Sequence, residues 1–212
     1  SAGANVGMIF MMAADQDFDE LNFAVKAFQD TTMRIRYSNI PVVVAPHNMA
    51  LGGGCEISLH ADKVVAHAEL YMGLVEFGVG LIPGGGGTKE FAKRLSEDLH
   101  AGDIKINRLR DRFLTVGQAK VSLSAYEAFD YGYLREGIDE VVVSRAHHLT
   151  RAKAACLEMA NKGYVPPKRE KNITVVGQEG LGIVYVGANS MLSGKYMSEH
   201  DKIIAEKLGF VL

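Results

Sequence analysis

Ala50-Leu51-Gly52-Gly53-Gly54-Cys55-Glu56 is the stretch on which the reading of this chain turns. Three consecutive glycines let a backbone come close to a bound molecule, and a helix entered directly behind them adds the partial positive charge of its N-terminus. Between Gly53 and Ala61 the apolar spacing of Cys55, Ile57 and Leu59 is ambiguous by itself. Glu56 in the first turn and the glycine-rich entry together predict a helix start. A second carboxylate stands in Val75-Glu76-Phe77-Gly78, just ahead of Leu81-Ile82-Pro83-Gly84-Gly85-Gly86-Gly87-Thr88. The chain opens on a third glycine-bearing stretch, Ser1-Ala2-Gly3-Ala4-Asn5. Taken singly, each has an ordinary explanation: a first-turn glutamate partners a helix dipole, a strand-end acid is solvated, and glycine runs mark turns. Their order and spacing together carry more than any one of them.

Working outward, apolar residues Leu21, Val25, Phe28, Met33 and Ile35 recur at near-helical spacing from Asp17 to Tyr37, with Asp17 and Asp19 placed to cap the start. Asn39-Ile40-Pro41 breaks that helix, and Val42 to Ala45 suits a strand buried on both faces. His47-Asn48 is read as a turn toward the glycines, and Lys63 to Ala66 and Leu70 to Met72 as brief strands. Thr88 to Leu95 is expected as a short helix, Ser96 to Arg112 as a charged, exposed insertion, Ala125 to Tyr131 as a helix and Ile138 to Val143 as a strand. Arg145 to Lys162 reads as a long amphipathic helix. Gly163 to Arg169 reads as a linker, and Leu181 to Leu192 and Ser198 to Leu208 as two helices, with Ser198 and Asp201 forming an acidic capping box. Alternating strands and helices make the chain α/β.

The 212 residues, 48% hydrophobic, suffice to bury a sizeable core. A net charge of −2 with interspersed signs leaves no broad basic field, which argues against nucleic acid and acidic membranes as partners. Two cysteines, Cys55 and Cys156, make neither a disulfide framework nor a zinc site; both are expected as small buried residues in a reducing compartment, with the cytoplasm as the default. No apolar run approaches a membrane span.

Several other patterns fail on their chemistry. Gly78-Val79-Gly80-Leu81-Ile82-Pro83 has proline where the dinucleotide fingerprint needs its third glycine, and Gly180-Leu181-Gly182 lacks a following glycine at the right offset. His147-His148 and the pair His60 and His67 lack metal-ligand spacing with a supporting acid or thiol and are read as surface or packing residues, so no metal is expected. Ser1 and Cys55 have no partnered histidine in a recognisable motif. Met8, Met11 and Met12 are read as core filler.

The three glycine-bearing stretches together resemble the crotonase superfamily, and the enoyl-CoA hydratases within it. The resemblance implies a crotonase-like spiral of ββα units. In that family the opening motif follows several earlier strands, so the sheet is expected to lack its first strands. It further implies a core over residues 1–162, a linker over 163–172 and a C-terminal helical segment over 173–212. The tail, with Tyr196-Met197-Ser198-Glu199-His200-Asp201-Lys202, is similar to the region following the crotonase domain in bacterial chains that fuse it to 3-hydroxyacyl-CoA dehydrogenase.

By that resemblance the site is an oxyanion hole built from the N–H groups of Gly53 and Ala2, with Glu56 and Glu76 as the catalytic pair and Gly84 as the loop glycine near the catalytic water. The family motif has Asp where this chain has Asn5; because the donor is backbone, the hole is expected to survive the change. Enolate formation from a thioester gathers charge on the carbonyl oxygen, and losing one donor to such an oxygen typically costs about 3–4 kcal/mol. Two carboxylates can divide the work of activating water and managing the α-carbon proton. The implied activity is reversible hydration of trans-2-enoyl-CoA in fatty-acid β-oxidation. Alternatives are double-bond isomerisation by Glu76 alone, or an inactive CoA-binding or assembly module. An acyl-CoA thioester is the implied partner, a trimer the implied assembly, and no cofactor is expected here, NAD belonging to the dehydrogenase part of a fused parent.

Overall fold

The computed structural model describes residue 1 and residues 3–212; Ala2 lies outside the described residues. In chain order the elements are α1 (Val6–Ala14), α2 (Phe18–Arg36), β1 (Val43–Val44), β2 (Asn48–Leu51), α3 (Gly53–His60), β3 (Lys63–His67) and β4 (Leu70–Gly73). A 3₁₀ turn (Glu76–Val79) and α4 (Gly87–Asp98) follow, then α5 (Lys105–Gly117), α6 (Ala125–Asp130) and β5 (Glu140–Val142). The chain ends with α7 (His148–Asn161), α8 (Gln178–Ser193) and α9 (Glu199–Val211). They fall into two compact units that do not follow chain order. The first holds Ser1–Gly73, Gly84–Gly86 and Val121–Arg169; the second holds Leu74–Pro83, Gly87–Lys120 and Glu170–Leu212.

Among the described residues of the first unit the named strands pair in parallel, and a single antiparallel bridge joins Met72 to Ser122. β1, β3 and β5 form one small sheet, with Val43 opposite Lys63 and Val65 opposite Glu140, and β2 pairs with β4 from Asn48 and Leu70 to Leu51 and Gly73. Parallel partners need a crossover between them, and α3 lies in the crossovers of both sheets. α7 packs on the first sheet through Ala152 and Ala155 against Val65, with Val43, Ala45 and Val142 around them. Two polar nodes hold the frame. Asp139, 8% exposed, accepts the Val64 N–H at 2.7 Å and faces Arg135, whose guanidinium also donates to the Asp62 carbonyl at 3.0 Å. The His148 ring is buried against β3, 2.7 Å from the Val65 carbonyl, and burial pushes its imidazole pKa down.

α2 runs from its Asp17 cap, whose carboxylate accepts the Glu20 N–H, as its periodicity predicts. α1 departs from expectation: it is an apolar helix with no buried residue, and Met8 and Met11 are 58% and 65% exposed rather than core filler. β1 is half-buried, and His47-Asn48 leads not into a turn but into strand β2, because Asn48 at φ 55° changes direction within one residue. Cys55 is buried and Cys156 only half-buried.

The second unit is helical. The expected exposed insertion over Ser96 to Arg112 contains most of α5, which buries Leu109, Thr115 and Val116. The dense charge hid an amphipathic helix: Arg108, Arg110 and Asp111 stay on the solvent side while Leu109 turns inward. α9 buries Ile204, Ala205 and Leu208, and α8 buries Val184 and Ala188. Gly209 lies against Val184, with a built Cβ only 2.8 Å from its Cγ1, so the two helices approach closely.

Glu140 ties three elements of the first unit. Arg151 of α7 meets its carboxylate with two nitrogens, each at 2.7 Å, and Lys63 of β3 lies 2.5 Å away. The Arg151 hydrogen bonds hold its pKa at about 2, well below 4.5. A lowered folded-state value means stability that is full above the unfolded pKa and lost as pH falls through the folded one. Because the group is 30% exposed, solvent screening limits the contribution to about 1 kcal/mol. Glu140→Gln should therefore cost about that much at pH 7, with the difference from wild type vanishing between about pH 4.5 and 2, as measured by urea unfolding across that range.

Candidate active site

The glycine run Gly52 to Gly54 sits where β2 ends and α3 begins, with the Gly52 N–H donating to the Gly73 carbonyl at 2.9 Å at the end of β4. Gly53 is the first residue of α3, so its N–H is among the four that a helix cannot satisfy internally. The chain start lies alongside: the Ser1 amino group donates to the Met49 carbonyl at 2.7 Å and the Leu51 N–H donates to the Ser1 carbonyl at 3.0 Å. Gly3, at φ +92°, brings its backbone so close that an added Cβ would stand 3.1 Å from the Leu51 carbonyl oxygen and 3.3 Å from the Gly53 nitrogen. Thus two of the three glycine-bearing stretches meet at the N-terminus of α3. Ala2, the expected second donor, is outside the described residues.

Glu56 is 2% exposed in the first turn of α3, its N–H donating to the Gly52 carbonyl at 2.9 Å. His60, also buried, lies with Nδ1 2.6 Å from the Glu56 carbonyl one turn later. The third stretch reaches Glu56 through Gly85, whose N–H donates to Glu56 Oε1 at 2.8 Å. A hydrogen bond from a backbone N–H both satisfies a buried carboxyl oxygen and aims it.

Gly85 has no room for a side chain: a Cβ there would lie 2.2 Å from Phe28 Cε1 and 2.6 Å from Glu56 Oε2. The loop is held from α2 as well, where buried Thr32 donates to the Gly85 carbonyl and Gln29 to the Gly84 carbonyl, both at 2.8 Å. Gly84 itself is open, with nothing within 4 Å of a built Cβ. The sequence reading singled out Gly84 and passed over Gly85, Phe28, Thr32 and Gln29. Four adjacent glycines do not announce which one faces a carboxylate. Thr32, four residues after half-buried Phe28 and four before buried Arg36, is a polar hint on that helix face.

Glu76 belongs to the second unit. It opens the 3₁₀ turn, is half-buried, and accepts the Leu81 N–H on its backbone carbonyl at 3.0 Å. Among the described residues no cluster of three His, Cys, Asp or Glu is placed to hold a metal ion, and no helix is long and apolar enough to cross a membrane.

The sequence profile of the enoyl-CoA hydratase/isomerase family matches residues 2–103, which take in the opening stretch from its second residue, the other two glycine-bearing stretches, Glu56 and Glu76. The chain belongs to the crotonase superfamily. Its fold is that of the solved enoyl-CoA hydratase from Bacillus anthracis, with a TM-score of 0.53 over 91% of this chain and 61% of that one, at 23% identity. A Bacillus subtilis protein named "Probable 3-hydroxyacyl-CoA dehydrogenase" is 44% identical over 210 residues, 99% of this chain and 26% of its own. The fatty acid oxidation complex subunit alpha of Shewanella loihica is 29% identical over 176 residues, 82% of this chain and 21% of its own. The chain thus spans about a quarter of the length of these curated relatives.

Gly84→Ala and Gly85→Ala separate the two loop glycines. Overpacking a filled site costs about 1–3 kcal/mol, so Gly85→Ala should lower the thermal midpoint by several degrees while Gly84→Ala stays within about 0.5 kcal/mol of wild type in a denaturant titration.

Proposed function

We propose that this chain carries out enoyl-CoA hydratase-type chemistry, the reversible addition of water across the double bond of a trans-2-enoyl-CoA to give the 3-hydroxyacyl-CoA. The observation that carries the reading is the buried Glu56 carboxylate, aimed by the Gly85 N–H at 2.8 Å and one helical turn from the half-buried N-terminus of α3 at Gly53. The Gly53 N–H, joined by that of Ala2, donates to the thioester oxygen as charge gathers on it, and the α3 dipole adds to the same stabilisation. Glu56 and Glu76 divide the general acid–base work, so that oxygen of water bonds to the β-carbon while a proton is delivered to the α-carbon. Gly84 contributes a backbone N–H toward the reacting water. Family membership and the match across both glutamates support this reading.

The relatives' names extend it. A hydratase product is the substrate of a 3-hydroxyacyl-CoA dehydrogenase, so joining both to one chain would pass it along in fatty-acid β-oxidation. We propose such a parent, with NAD used by its dehydrogenase part, a cytoplasmic setting, and a trimer as the assembly.

The test is loss of the enoyl-thioester absorbance of crotonyl-CoA. Glu56→Gln and Glu76→Gln should each lower kcat by about 10²–10⁴-fold, the span of a lost general acid or base. Glu56→Gln at wild-type rate would assign the chemistry to Glu76 alone, as in isomerisation. A folded chain without turnover would place it among non-catalytic acyl-CoA binders.

A further inference from the structure

We propose that His200 is a positioning residue for Glu76, an assignment that rests on the role given to Glu76 above. The 3₁₀ turn that starts at Glu76 closes on itself: the Gly78 N–H donates to the Val75 carbonyl at 3.0 Å, Gly80 to Phe77 at 3.1 Å, and Leu81 to Glu76 at 3.0 Å. Residues 75–81 therefore move as one piece. Gly78 and Val79 at its tip are exposed, while Val75, Glu76, Phe77 and Leu81 are half-buried.

From elsewhere in the second unit Ala119 lies beside Gly78, and α9 supplies a hydrogen bond. His200 Nε2 lies 2.8 Å from the Gly80 carbonyl oxygen, the carbonyl of the residue that ends the turn. Since a carbonyl only accepts, the ring must donate from Nε2. Gly80 takes φ +78°, and a Cβ on it would stand 3.3 Å from the same nitrogen, so the imidazole is seated against a position that only glycine fills without strain.

α9 is a firm post for this contact. Its first turn is locked by the reciprocal Ser198–Asp201 capping box, with Asp201 N–H to Ser198 Oγ at 3.1 Å and Ser198 N–H to Asp201 Oδ2 at 2.9 Å. Further along, Ile204, Ala205 and Leu208 are buried. His200 stands between the cap and this buried face. The C-terminal helix thereby sets where the Glu76 turn rests, and through it where the carboxylate points. The contact needs a donor, not a charge: neutral imidazole with its proton on Nε2 and imidazolium both supply it.

The test compares His200→Ala with His200→Gln, because a glutamine amide can donate from nearly the same place as Nε2. A displacement of a catalytic group by about 1 Å can cost up to about 10²-fold, so His200→Ala should lower kcat for crotonyl-CoA about tenfold with KM within about twofold. His200→Gln should return kcat to within about twofold of wild type, with an unaltered pH profile. In parallel, amide hydrogen exchange at Gly78, Gly80 and Leu81 should quicken several-fold in the alanine variant and recover in the glutamine variant. Wild-type kcat and exchange in His200→Ala, or a glutamine variant as impaired as alanine, would overturn the assignment. Should Glu76→Gln retain hydration, the role of Glu76 fails, and the exchange comparison alone then judges whether His200 holds the turn. The same comparison decides if the chain shows no turnover.

Discussion

The buried hydrogen bond from the Gly85 N–H to the Glu56 carboxylate is the constraint around which the first unit is arranged. A carboxyl group at 2% exposure is tolerated only when hydrogen-bond partners replace the water it has lost. Supplying a backbone donor means bringing a loop in at 2.8 Å, and the contact is so close that Gly85 must lack a side chain. The loop in turn must be held, which Thr32 and Gln29 of α2 do by binding its carbonyls. α2 therefore serves the site although no residue of it is acidic or nucleophilic there. On the other side, His60 meets the Glu56 carbonyl and Gly3 lies against the Gly53 nitrogen. A stretch that reads as three separate glycine motifs in sequence is one packed arrangement in space.

Much of this was legible because glycine and carboxylate placement obeys local rules. The α2 helix followed from its 3.6-residue periodicity and Asp17, α3 from a glycine entry with Glu56 in its first turn, and α9 from the Ser198–Asp201 pair. Brief strands at Lys63 and Leu70 were visible from their apolar runs. The misreadings share a cause, since each needed knowledge of what packs opposite. α5 looks like an exposed insertion in sequence because its charged residues outnumber the three it buries. Met8, Met11 and Met12 look like core filler, yet α1 has no buried residue. β2 was missed because a strand of Asn48-Met49-Ala50-Leu51 has no alternation; its existence depends on pairing with β4.

At the site, the pattern marks Glu56 and Gly53 but not the residues that hold the glycine loop against Glu56. Thr32 and Gln29 act from 53 and 55 residues away along the chain, and no window of sequence contains both ends of such a contact. His200 is 120 residues from Gly80, in a tail stretch that stands out in sequence only as helix and for its likeness to fused dehydrogenase chains. Catalytic side chains are written into motifs because chemistry restricts their type; the groups that aim them are restricted only by geometry.

The central claim is that the N-terminus of α3 polarises a thioester carbonyl beside Glu56. Difference infrared spectroscopy of a trans-2-enoyl thioester bound to the chain, with the carbonyl carbon isotopically labelled, reads that polarisation directly. The account predicts a carbonyl stretch displaced to lower frequency on binding. A bound thioester whose carbonyl absorbs at its aqueous frequency would contradict it.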